Sequence, residues 1–70
     1  MTRAQASRAV YGARTETAAL RRGNAARRHG LGTLAEALFV QAMAIRARHY
    51  PESRRLYGAR VRELLAEVAP

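Results

Sequence analysis

The chain has 70 residues, with 13 Arg, 5 Glu, a formal net charge of +8 and an isoelectric point near 11.7. That length holds one domain at most, and the absence of Cys excludes disulfides and thiolate metal sites. Only 13 residues are Leu, Ile, Val or Phe, against 16 Ala, which excludes a large self-sufficient core. What remains is a small helical unit completed by a partner, copies of itself or a polyanion.

Gly23-Asn24, Gly30-Leu31-Gly32 and Pro51 punctuate the chain. They predict a basic helix over 1–22, an Arg/Gly-rich connection over 23–32, and a helical hairpin over 33–70 that turns near Pro51. In the first helix Ala6, Val10, Ala13, Thr17 and Leu20 follow the spacing of one face. That stripe is narrow and made of small residues, so it allows close approach but buries little.

The second helix is the strongest pattern. Thr33-Leu34-Ala35-Glu36 has the form of a capping box, in which the Thr hydroxyl and the Glu side chain satisfy each other's backbone amides. From Leu34 to Ile45 only Glu36 and Gln41 are polar. A helix apolar over most of its circumference is central or shared between subunits. Leu38, Phe39, Val40 and Met43 are therefore the expected interface of a homo-oligomer. The run is too short to span a bilayer.

Pro51 suits the first position of the third helix, with Glu52 in its first turn facing the helix dipole. Tyr57, Val61, Leu64 and Val68 form the apolar stripe, Leu65 lies alongside, and Arg60 and Glu63 are spaced to pair. The expected fold is all-α: three helices, a basic Ala-rich one and an antiparallel hairpin, completed by oligomerisation.

Charge is uneven: residues 1–35 carry seven Arg and one Glu, and residues 36–70 six Arg and four Glu. Arg21, Arg22, Arg27 and Arg28 surround Gly23-Asn24 with no acid nearby, which suits two Arg pairs straddling phosphates across a turn. Arg3 and Arg14 fall on the same side of a continuous first helix as Arg21 and would extend the track. Arg46, Arg48, Arg54 and Arg55, with His49, form a second cluster around Pro51, where cations also complement the end of the preceding helix. The bland reading of both clusters is a solvated basic surface. Tyr50 is the candidate for stacking on a base, whereas Tyr57 belongs to the core stripe.

His29 and His49 lack the Cys or Asp needed to complete a metal set, and Ser7 and Ser53 lack a base-and-orienter pattern. No enzyme activity and no cofactor are expected. The expected function is sequence-tolerant binding of nucleic acid, DNA or RNA, as an architectural, packaging or ribonucleoprotein component. The alternative is a non-catalytic helical adaptor for an acidic protein partner. A membrane-surface helix ranks last, because the first helix has no bulky apolar face. The first thirty residues share the Arg-rich, acid-poor composition of an organelle transit peptide. No secretory apolar segment is present, so a cytoplasmic or nucleoprotein location is expected, with organelle targeting still open.

Ala35, Phe39 and Ala42, followed by a Pro turn and another helix, resemble the second helix of a tetratricopeptide repeat over about a third of the chain. That resemblance implies a helical peptide-binding module. Ala47 stands where the repeat places its Pro, and Arg60-Val61 where it places Leu-Gly, so the spacing departs from the repeat. The Pro turn before Arg54-Arg55-Leu56 likewise lacks a helix-turn-helix signature.

Overall fold

The computed structural model describes residues 1–69. Among them are four helices and no strand: α1 (Arg3–Tyr11), α2 (Glu16–Arg28), α3 (Gly32–Arg46) and α4 (Pro51–Ala66). The all-α expectation holds, but there are four helices rather than three. The predicted first helix is two.

Local chemistry explains the division. Thr2 opens α1 with a capping box to Gln5, and the Gly12 amide closes it on Arg8 and Val10 carbonyls. Thr15 then caps a new helix through the Ala18 amide, with Glu16 in its first turn. The stripe read from the sequence is correct as far as Ala6, Val10 and Ala13, all fully buried. Beyond the break, Thr17 and Leu20 face solvent and Ala19, Gly23 and Ala26 turn inward.

Gly23-Asn24 is helix interior, not a turn. A Cβ built on Gly23 would sit 2.6 Å from Cε1 and 2.8 Å from Cδ1 of Phe39. Glycine here admits an aromatic ring against the backbone of α2, which outweighs its helix cost of about 1 kcal/mol. Gly23→Ala should therefore destabilise the protein by about 1–3 kcal/mol despite the better helix former. A thermal melt followed by circular dichroism checks this, and an unchanged or higher melting temperature would contradict the close contact.

The true stop lies at Gly30, whose φ of 74° is the left-handed conformation glycine favours. Its amide bonds to the Arg27 carbonyl at 3.0 Å and that of Leu31 reaches Ala26 at 2.9 Å, a Schellman closure. The chain re-enters helix at once, with Leu31 at the N-cap and no side-chain cap. Thr33 thus falls inside α3, the expected Thr33–Glu36 capping box does not form, and Glu36 pairs with Arg60 of α4 at 3.1 Å.

Helix α3 is central and touches each of the other three. Its Leu34, Ala35, Ala37, Leu38, Ala42 and Ala44 are buried. Helices α3 and α4 form the expected hairpin, with Pro51 starting α4 and Val61, Leu64 and Leu65 buried on it. Tyr57 and Val68 are only half-buried. Nine of the fifteen buried apolar residues described are Ala, so the helices gain contact by approaching closely rather than through bulky side chains. Splitting the first segment supplies an extra neighbour for α3 and removes Leu38 from the expected oligomer face. Leu38 is 1% exposed within a single chain, and Phe39, Val40 and Met43 are half-buried. No described helix is long and apolar enough to cross a membrane.

Candidate nucleic-acid interface

Several arginines expected to face a ligand instead hold the fold. Arg3 donates from its amide to the Ala69 carbonyl at 2.7 Å, from Nε to Leu65 at 3.2 Å and from Nη2 to Ala66 at 2.8 Å. Helix α4 has no basic residue in its last turn, so a cation from the other end of the chain satisfies those carbonyls. Arg22 does the same for α1, donating from Nη1 to the Ala9 carbonyl at 2.6 Å. Arg3 and Arg22, expected as phosphate contacts, thus act in the fold as helix caps.

Acidic residues claim others. Arg46 meets Glu16 at 2.8 Å, tying the end of α3 to the start of α2. Arg55 pairs with Glu52 one turn away on α4. Arg60 bridges Glu63, as its spacing predicted, and Glu36. Hydrogen bonds to Glu63 and then Glu36 raise the Arg60 pKa further above its already high ordinary value. These are exposed pairs and contribute little to stability. Their consequence is electrostatic: Glu16, Glu36, Glu52 and Glu63 are already matched by Arg46, Arg55 and Arg60.

Among the remaining arginines, Arg8 and Arg62 are exposed on α1 and α4, and the other six fall into two groups. Arg21 and Arg28 lie roughly opposite the Ala19–Gly23–Ala26 stripe of α2, at about 100° per residue, and face solvent. Arg27 sits on the flank, bonded to Asn24 at 3.2 Å and placed over the Phe39 ring at 5.7 Å from its centroid. The four arginines therefore spread around one helix instead of straddling a turn. The single track through Arg3, Arg14 and Arg21 does not exist, because the break at Gly12 redirects the chain.

The second group is concave. Arg14 from the α1–α2 connection, Arg48 from the α3–α4 connection and Arg54 from early α4 line one open groove of about 350 Å³. Its inner wall is Ala44, Ile45 and Gly58, with Gln41 adding a polar group. An adjoining recess of about 340 Å³ shares Arg14, Ile45 and Arg48 and runs on to His49. The carboxylate lining that recess is Glu16, already paired with Arg46. Arg48 also donates to His49 Nε2 at 3.3 Å. The guanidiniums of Arg14 and Arg54 have no hydrogen-bond or ion-pair partner among the described residues.

The structure thus moves Arg14 out of the first cluster and into the second. Arg14 precedes the start of α2 and Arg28 closes its end, a helix of about 20 Å at about 1.5 Å per residue. Tyr50 is 69% exposed at the start of α4, between Arg48 and Arg54. Sequence reasoning missed the inner wall. Gln41 was legible as a break in an apolar run, whereas nothing local marks Gly58 or Ile45. No group of three or more His, Asp or Glu able to hold a metal occurs among the described residues. No family model, curated protein or solved structure matches this chain.

Proposed function

We propose that the protein binds nucleic acid with little sequence preference, through arginine–phosphate contacts, as a small architectural, packaging or ribonucleoprotein component. The observation that carries this reading is the segregation of charge. Four of the five glutamates are matched within the fold, while Arg14, Arg48 and Arg54 converge on one groove and Arg21 and Arg28 stand free on α2. Planar guanidinium forks suit phosphate oxygens, and a cluster without unmatched acid attracts a polyanion. The role is binding rather than catalysis, in a nucleoprotein setting.

Anisotropy with a labelled random-sequence duplex tests the proposal. About five phosphate contacts give a log–log salt slope near −4.5 between about 50 and 300 mM salt. Arg28→Ala should flatten the slope by about one. Arg3→Ala should leave it unchanged and lower the melting temperature instead. Absence of binding to duplex and single strand alike at low salt would overturn the reading and favour an acidic protein partner.

A further inference from the structure

Resting on that reading, we infer that the Arg14–Arg48–Arg54 groove seats one unpaired nucleotide of a single strand, its phosphate among the guanidiniums and its base against the apolar wall. Three features of the groove support this. The guanidiniums arrive from three separate parts of the chain, so folding assembles the anion site, and no unmatched carboxylate lines it. Ala44, Ile45 and Gly58 give a phosphate nothing to bond but offer a base or sugar an apolar surface. Gln41 supplies both a donor and an acceptor for a base edge, which tolerates different bases.

A duplex can use the guanidiniums of this groove but not its apolar wall. A duplex presents its phosphates outward and keeps its bases stacked inside. An unpaired strand offers base and phosphate side by side. Tyr50, at the N-cap of α4 between Arg48 and Arg54 in the sequence, leaves its ring exposed and available to a neighbouring base. Space for the base exists because residue 58 has no side chain. A Cβ there would meet only the Arg62 guanidinium, at 3.7 Å, an ordinary contact.

That open space provides the test. Gly58→Leu fills the wall without removing a charge and replaces glycine by a better helix former. Anisotropy compares a labelled oligothymidylate of about 12 nucleotides with a duplex of similar length. The expected result is about a tenfold loss of single-strand affinity, with duplex affinity held within about twofold. Equal losses on both probes, or none on either, would overturn the groove assignment without overturning the nucleic-acid reading. If the wild-type protein binds neither probe, the nucleic-acid reading itself falls and takes this inference with it. Should Gly58→Leu fail to fold by circular dichroism, Arg54→Ala serves instead, since the Arg54 guanidinium makes no hydrogen bond or ion pair among the described residues. Its single-strand affinity must drop more than its duplex affinity, and equal drops would overturn the assignment.

Discussion

Leu38→Ala is expected to lower stability by about 3 kcal/mol, within the range for truncating a buried leucine. For a domain of this size that shifts the melting temperature downward by about 12–24 °C. The magnitude follows from position: Leu38 is among the largest fully buried side chains, and it lies on the helix that every other helix touches. Its alanine-rich neighbours have little side chain with which to close the cavity. Melts at two protein concentrations separated by about a hundredfold add a second readout. The loss should be the same at both, because the side chain is covered within one chain and no mass-action term enters. A concentration-dependent loss would restore Leu38 to a shared interface.

The second large effect is electrostatic. Replacing Arg14, Arg48 and Arg54 together with Ala should flatten the duplex salt slope by about three and weaken binding at least about a hundredfold at low salt. Arg14 and Arg54 hold nothing in the fold, and Arg48 donates only to its neighbour His49. Surface substitutions of this kind move stability by about 0.5 kcal/mol or less. The triple variant should therefore melt near the wild-type temperature. Arg3→Ala is the converse control, since it removes the cap on α4 and no phosphate contact. A triple variant with unchanged slope would assign the binding energy to α2 instead.

The contrast between those arginines shows how much the sequence reveals. The α3–α4 hairpin was legible because its signals are local: an apolar run, a proline at a first helical position, an acid in the first turn. Gly23 was misread because a glycine followed by asparagine in a turn and a glycine under an aromatic ring look identical in one dimension. Only Phe39, sixteen positions away, distinguishes them. The Thr15 cap was overlooked because Ala6, Val10 and Ala13 keep a helical rhythm through a connection that is not helical.

Composition and periodicity alone determined that this is a small, all-helical, strongly cationic chain with an apolar central helix. Those properties depend on short-range spacing and on total charge, which are the same in any arrangement of the helices. Tertiary structure decided which arginines cap helices, which neutralise glutamates and which stay free. A guanidinium on a long side chain takes the nearest strong acceptor, and only folding brings carbonyls 62 and 63 residues away to Arg3 while leaving none beside Arg14 and Arg54.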